Sequence, residues 1–123
     1  MKDDQLILEM NNISKSFSGV KALDDVSIRC KKGNVHALVG ENGAGKSTLI
    51  KILSGAQRPD KGTICFKGKN YEIFSTREAL SVGISVIYQE LALVSEMSVV
   101  ENIFLGREIR RTVGIIDSAR MRQ

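Results

Sequence analysis

Apolar and polar positions alternate with two different periods along this chain. Residues 6–10, Leu-Ile-Leu-Glu-Met, read as a strand, and Asn11-Asn12 marks a turn. Ile13-Ser14-Lys15-Ser16-Phe17 follows and is broken by Ser18-Gly19. Val26-Ser27-Ile28-Arg29-Cys30 alternates as a half-buried strand should. A hairpin-like turn, Lys31-Lys32-Gly33-Asn34, leads into Val35-His36-Ala37-Leu38-Val39, an apolar run that predicts a buried strand. The period then becomes helical: Leu49, Ile52 and Leu53 share one face, with Gly55 as the stop.

The second half repeats the alternation of elements. Arg58-Pro59-Asp60-Lys61-Gly62 predicts a turn, with Pro59 presetting φ and Gly62 relieving the exit. Thr63-Ile64-Cys65-Phe66 is a strand and Lys67-Gly68-Lys69-Asn70 another turn. Ser75 and Glu78 have capping-box spacing, which predicts a short helix over about 76–82 ended by Gly83. Ile84-Ser85-Val86-Ile87-Tyr88 predicts a β-branched strand with Gln89 at its carboxyl end. Ser98 caps a helix through Val99, Val100, Ile103 and Phe104, ended by Gly106, and Asp117 opens a last helix. The amino-terminal part therefore reads as a small antiparallel sheet laid beside an α/β core. No internal repeat or low-complexity segment interrupts it.

Composition changes this picture little. The chain has 123 residues, 42% hydrophobic and 26% charged, which is ordinary for one globular domain or part of one. A net charge of +4 is compatible with an anionic ligand without demonstrating one. Aromatic residues make up 5% and none is Trp, so the basic-aromatic interleaving of nucleic-acid binders is missing. Cys30 and Cys65 fit no metal spacing and read as reduced thiols of a cytosolic protein. The first five residues, Met-Lys-Asp-Asp-Gln, lack the apolar stretch of a signal peptide, and no run approaches the roughly 20 apolar residues of a membrane span. Any membrane role is expected to come through a partner. Arg107, Arg110 and Arg111 form a basic cluster of the kind that usually marks a solvated face.

The chemistry concentrates between the run at 35–39 and the first helix. Gly40, Glu41, Asn42, Gly43, Ala44, Gly45, Lys46, Ser47 and Thr48 fit G-x-x-x-x-G-K-[ST], the phosphate-binding loop. The glycines Gly40, Gly43 and Gly45 are expected to take positive φ and to let the backbone approach a ligand. Successive N–H groups then make a concavity for anions. Lys46 adds a point charge for the β- and γ-phosphates, and the Ser47 hydroxyl is placed to ligate Mg²⁺. The helix that follows aims its positive end at the same phosphates. Strand, loop, helix is the context the motif requires. The dinucleotide pattern fails, because the glycine it needs at position 48 is Thr48. Ligand groups in α/β sheets gather at strand carboxyl ends, which singles out Gln89 as a functional candidate beside the alternative of a solvated loop residue.

Several separated stretches together resemble the amino-terminal part of an ATP-binding-cassette (ABC) transporter ATPase, most closely the bacterial sugar-import subunits of the ribose, galactose and xylose type. Residues 13–17 followed by Val20-Lys21-Ala22-Leu23 resemble the A-loop region, and residues 40–48 the Walker A loop. Ile87-Tyr88-Gln89-Glu90-Leu91 resembles the Q-loop, and residues 98–107 resemble the segment that follows it in sugar importers. The likeness covers nearly the whole chain. It implies an α/β fold, a P-loop NTPase core fragment of ABC ATPase type with an amino-terminal antiparallel β subdomain. It implies ATP and Mg²⁺ as cofactors. Phe17 would stack on the adenine, and Gln89 would contact Mg²⁺ and the attacking water, giving it a catalytic role. The partners implied are membrane-spanning permease subunits met through the Q-loop region and residues 91–97, a second ATPase cassette, and indirectly a periplasmic sugar-binding protein. The expected location is the cytoplasm, peripheral on the inner face of the cell membrane.

The family pattern is not all present. A Leu-Ser-Gly-Gly-Gln-type signature, a Walker B strand ending in Asp-Glu and a switch histidine are missing from the sequence. Leu53-Ser54-Gly55 continues as Ala56-Gln57, Ile115-Ile116-Asp117 is followed by Ser118, and the one histidine, His36, precedes the phosphate loop. Residues 1–123 are therefore expected to be the front of a first cassette, cut before its signature and Walker B, which binds ATP without hydrolysing it. The alternatives are a non-catalytic nucleotide-binding fragment and a P-loop ATPase of a non-transport ABC class. A GTPase lacks its Asn-Lys-x-Asp guanine motif here, and no acceptor site for a small-molecule kinase can be placed.

Overall fold

A computed structural model describes residues 6–71, 75–87, 93–112 and 114–122. The chain divides into two units, residues 1–87 and 88–123.

The first unit is organised on a four-stranded antiparallel sheet of order β2-β1-β3-β4, built from β1 (Leu6–Phe17), β2 (Val20–Lys31), β3 (Lys61–Phe66) and β4 (Lys69–Tyr71). Two helices belong to it, α1 (Lys46–Leu53) and α2 (Thr76–Val82). Leu8, Met10 and Ile13 of β1, Leu23 of β2, and Ile64 and Phe66 of β3 form the core with Leu49 and Ile52 of α1 and Ala79 of α2. The helical stripe read from the sequence is thus the face that α1 buries. Burying such apolar side chains is worth about 1.5–3 kcal/mol each, which is what holds a helix of this length on the sheet.

β1 is one strand, and Asn11-Asn12, expected as a turn, is a bulge inside it. Met10 pairs with Ile28 and Ile13 with Val26, so β1 carries one residue more than β2 over this step. The extra residue resets the alternation, which is how Met10 and Ile13, three apart, both point into the core. Asn12 takes φ 53° and Asp25 on β2 takes φ 54°. The Asn12 side chain donates to Asp25 Oδ1 at 2.8 Å, and the Asp25 N–H donates to Ser14 Oγ at 3.0 Å. Gly62, expected at a turn exit, lies inside β3 opposite this bulge. A Cβ there would sit 2.6 Å from the Asn11 carbonyl oxygen, so no other residue fits without displacing β1.

Both hairpin turns follow from left-handed backbone. Ser18 and Gly19 have φ 45° and 84°, and Lys67 and Gly68 have φ 51° and 76°, the two-residue turns whose twist suits antiparallel strands. Lys69 and Asn70, expected in the second turn, already belong to β4. Cys30 faces Leu8 while Cys65 faces Glu9, so the two free thiols lie on opposite sides of the sheet.

Two expected strands do not form as such. Residues 34–40 and 84–87 carry no strand pairing among the described residues. Val35 is 99% exposed and Val39 88%. An apolar run becomes a buried strand only when neighbouring strands supply its ladder, and none of the described strands pairs with these segments.

The second unit contains α3 (Val99–Phe104) and α4 (Ser118–Met121) with an isolated bridge between Arg110 and Ile116. Asn102 ties its first loop together. Its side-chain amide donates to the carbonyls of Val94, Met97 and Ser98 at 3.1 Å each, and its oxygen accepts from Val94 N–H at 2.9 Å. Asp117 caps α4 through Arg120 N–H and pairs with Arg111 at 3.2 Å, so it serves as a helix cap rather than as the end of a catalytic strand.

Candidate functional site

The phosphate-loop residues lie together at the start of α1. Gly43 and Gly45 take φ 86° and 85°, the left-handed region that glycine enters without a steric cost. Gly40 does not take positive φ, contrary to expectation. What it supplies is space: a Cβ there would lie 3.3 Å from Ala44 Cβ, against the stem of Lys46. Lys46 is the first residue of α1 and folds back over the loop. Its ammonium donates to the carbonyls of Gly40 and Glu41, both at 2.6 Å. Two of its three N–H groups are thereby used, and the third has no acceptor among the described residues.

The start of α1 differs from those of the other helices. Gly45 provides no side-chain cap and the first turn holds no acidic residue. By contrast, α2 and α3 each begin with a complete capping box, Ser75 with Glu78 and Ser98 with Glu101. In each box the serine hydroxyl accepts the N–H three residues on, while the carboxylate accepts the serine N–H and faces the positive helix end. Glu78 is held below the usual carboxylate range by the Ser75 N–H and then the Ser75 hydroxyl, and Glu101 by the Ser98 hydroxyl and then the Ser98 N–H. At α1, the backbone N–H groups of Gly45, Lys46, Ser47 and Thr48 pair with no described acceptor. Ala44 N–H turns back to the Glu41 carbonyl at 3.2 Å, which closes the loop. Donors without acceptors, a cation and an uncompensated helix dipole converge on one spot, an arrangement that suits a multiply charged anion. Ser47, on the exposed first turn, sits beside the same spot.

Gly45 also fixes where the loop lies. Its missing Cβ would stand 2.4 Å from the Ala22 carbonyl oxygen and 2.7 Å from a Leu23 methyl. The loop therefore rests on β2, in the same hairpin that carries Phe17. Phe17 pairs with Val20 at the hairpin end and is 44% exposed, so it is not a core aromatic. The Lys15 ammonium stands over its ring, 5.6 Å from the centroid. His36 accepts the Lys31 N–H at 3.1 Å and so braces the turn before the loop. Gln89 lies outside the described residues.

A feature the sequence did not signal is the tie from Asp60 to β1. Asp60 Oδ1 accepts from Lys15 Nζ at 2.6 Å, Asp60 Oδ2 from Ser16 N–H at 2.7 Å, and the Asp60 N–H donates to the Ser14 carbonyl at 2.8 Å. The side-chain bonds span 44 and 45 positions, beyond any local pattern. In the second unit, Leu93, Val94, Met97, Val99 and Ile103 line a groove of about 370 Å³. Among the described residues no group of three or more His, Cys, Asp or Glu side chains forms a metal cage, and no helix is long and apolar enough to cross a membrane.

Comparison with known proteins agrees with this geometry. The ABC transporter family model matches residues 23–123. The chain is 52% identical over 114 residues to the arabinose import ATP-binding protein of Mannheimia succiniciproducens, covering 93% of this chain and 22% of that protein. It is 52% identical over 124 residues to the galactose/methyl galactoside import ATP-binding protein of Clostridium tetani, covering 98% and 25%. It is 56% identical over 115 residues to a ribose import ATP-binding protein of Rubrobacter xylanophilus, covering 94% and 23%. The chain thus spans about a quarter or less of the length of these relatives. Among solved structures, a nucleotide-free ATP-binding cassette from an ABC transporter superposes with a TM-score of 0.75 at 36% identity, over 93% of this chain and 43% of that one. A dimeric ATP-binding cassette bound to ADP and phosphate shares the fold at 20% identity, with a TM-score of 0.74, over 94% of this chain and 52% of that one. Loop, hairpin and sheet are those of an ATP-binding cassette, and the chain belongs to the ABC transporter family.

Proposed function

We propose that this chain is the nucleotide-holding front of an ATPase subunit that powers import of a sugar. The observation that carries the reading is the start of α1, where unpaired N–H groups, the Lys46 ammonium and a helix end without a carboxylate meet. ATP is the ligand of matching chemistry. Its β- and γ-phosphates would sit against residues 40–48 and its adenine against Phe17. The names of the relatives, import proteins for arabinose, ribose and galactose, support a sugar as cargo.

Within the site, roles follow from position. Gly43 and Gly45 admit the phosphates, and Lys46 sets its remaining N–H against them. The Ser47 hydroxyl fits a hard cation that keeps most of its ligands as water and phosphate oxygen. Ser47 and Gln89 would hold Mg²⁺, which neutralises charge on the phosphate oxygens. Gln89 would also orient the attacking water. Hydrolysis further needs a group to polarise that water, and these 123 residues contain neither a Glu after a Walker B strand nor a switch histidine. By themselves they hold the nucleotide without turning it over.

The finer partner assignments belong to the same reading. A permease would be met through the Q-loop region, and the exposed apolar groove at Leu93, Met97 and Ile103 supports a contact surface there. A second cassette would complete the site, a sugar-binding protein would act through the permease, and the subunit would sit on the cytoplasmic face of the membrane. Calorimetric titration with MgATP tests the core of this proposal. Wild type binds and Lys46→Ala loses most of the affinity with an unchanged circular dichroism spectrum. Equal binding by both proteins would sink it.

A further inference from the structure

We propose that Asp60 is a positioning residue for the nucleotide base, acting by fixing the hairpin end that presents Phe17. The inference rests on the reading of Phe17 as the adenine platform. Three consecutive residues before Phe17 are tied to Asp60: Ser14 through its carbonyl, Lys15 through its ammonium and Ser16 through its N–H. Asp60 lies at the end of the connection from α1 to β3, so the clamp joins the residues before the ring to the segment that follows the phosphate-loop helix. The other link is Gly45 against Ala22 and Leu23 on the partner strand. Together they tie β1 to the end of the α1–β3 connection and β2 to the loop at the start of α1. A base and a triphosphate on one ligand are bound at once only if the spacing between their two sites is set in advance.

The clamp also acts on the ring itself. The Lys15 side chain is only 13% exposed, and its ammonium is anchored by Asp60 Oδ1 at 2.6 Å. Paired to Asp60, its ammonium stays within the roughly 6 Å at which a cation interacts with an aromatic face. One face of Phe17 is thereby occupied and the base stacks on the other. Asp60 is ionised at neutral pH, its carboxyl held below the usual range by the Lys15 ammonium and then the Ser16 N–H.

Two probes separate positioning of the base from general stability: MgATP, which uses both sites, and magnesium tripolyphosphate, which uses the phosphate loop alone. Asp60→Ala is expected to weaken MgATP binding about tenfold, of the order of one charge-assisted bond, and Asp60→Asn, which keeps a neutral acceptor for Ser16 N–H, about threefold. Tripolyphosphate affinity stays at the wild-type value in both. Equal loss for the two probes, or no loss for MgATP, overturns the assignment. Phe17→Ala distinguishes the premise: if it leaves MgATP affinity unchanged, the base reading itself falls and the Asp60 assignment falls with it. If Phe17→Ala weakens MgATP while both Asp60 variants bind like wild type, only the positioning role is overturned. Should Asp60→Ala not fold, the near-isosteric Asp60→Asn decides the matter through the same ratio.

Discussion

Gly43 and Gly45 have almost the same backbone conformation, φ 86° and 85°, but different surroundings, and substituting each by alanine separates strain from collision. Nothing lies within 4 Å of a Cβ built on Gly43. Gly43→Ala therefore carries only the cost of a non-glycine residue in the left-handed region, about 1–2 kcal/mol. Gly45→Ala carries the same strain plus a contact of 2.4 Å with the Ala22 carbonyl oxygen and 2.7 Å with Leu23. Backbone cannot yield as a flexible side chain does, so the loop must lift from β2. Overpacking of this kind costs about 1–3 kcal/mol more. At roughly 4 °C per kcal/mol for a chain of this size, Gly43→Ala lowers Tm by about 4–8 °C and Gly45→Ala by about 8–20 °C. Thermal unfolding followed by circular dichroism measures both. Equal midpoints within about 2 °C, or a lower one for Gly43→Ala, would refute the claim that the loop is seated on β2 through Gly45.

Other outcomes follow from the same contacts. Asp60 and Glu78 have carboxyl groups lowered in the folded chain, by Lys15 and Ser16 and by Ser75 respectively, so their stabilisation is present above the ordinary carboxylate range and lost as pH falls through the folded values. Urea midpoints should accordingly drop between pH 5 and pH 3, and a flat or rising profile contradicts the assignment. Asn102→Ala strips four hydrogen bonds from the loop at 94–98 and leaves Val94 N–H without its acceptor, a loss of about 1–3 kcal/mol. Faster amide exchange confined to the second unit should report it, and unchanged exchange there would deny Asn102 that role. Purified protein should release no phosphate from MgATP at an enzyme-like rate, on the order of 1 per second. Release at that rate, abolished by Lys46→Ala, would show that the residues present suffice for hydrolysis.

Local chemistry was legible in the sequence and long-range pairing was not. The capping box at Ser75 and the cap at Ser98 place the starts of α2 and α3, because a cap is decided within four positions, although α3 ends at Phe104, ahead of the Gly106 stop. The apolar stripe at Leu49, Ile52 and Leu53 identifies the buried face of α1, although the helix begins at Lys46, within the motif itself. Asn11-Asn12 has the composition of a turn, yet the strand runs through it, since Asn12 can take positive φ in a bulge as readily as in a turn. Gly62 looked like a turn residue because its real constraint, the Asn11 and Asn12 carbonyls, comes from a strand some 50 positions away. The runs at 35–39 and 84–88 have strand composition, but composition does not name a partner strand. At the candidate site, the motif named residues 40–48, which the fold gathers at the start of α1, while the Asp60 clamp depends on a meeting of distant segments that no spacing announces.

Amide chemical shifts give the most direct test of the central claim, that the unpaired N–H groups at the start of α1 receive the phosphates of ATP. The measurement is a two-dimensional ¹⁵N–¹H spectrum of the labelled 123-residue chain during titration with MgATP. Saturable shifts are expected to centre on Gly43, Gly45, Lys46, Ser47 and Thr48, with a second set at Phe17 and its neighbours, and little change at the capped starts of α2 and α3. Saturable binding whose shifts lie elsewhere, with the amides of residues 43–48 unmoved, would contradict it.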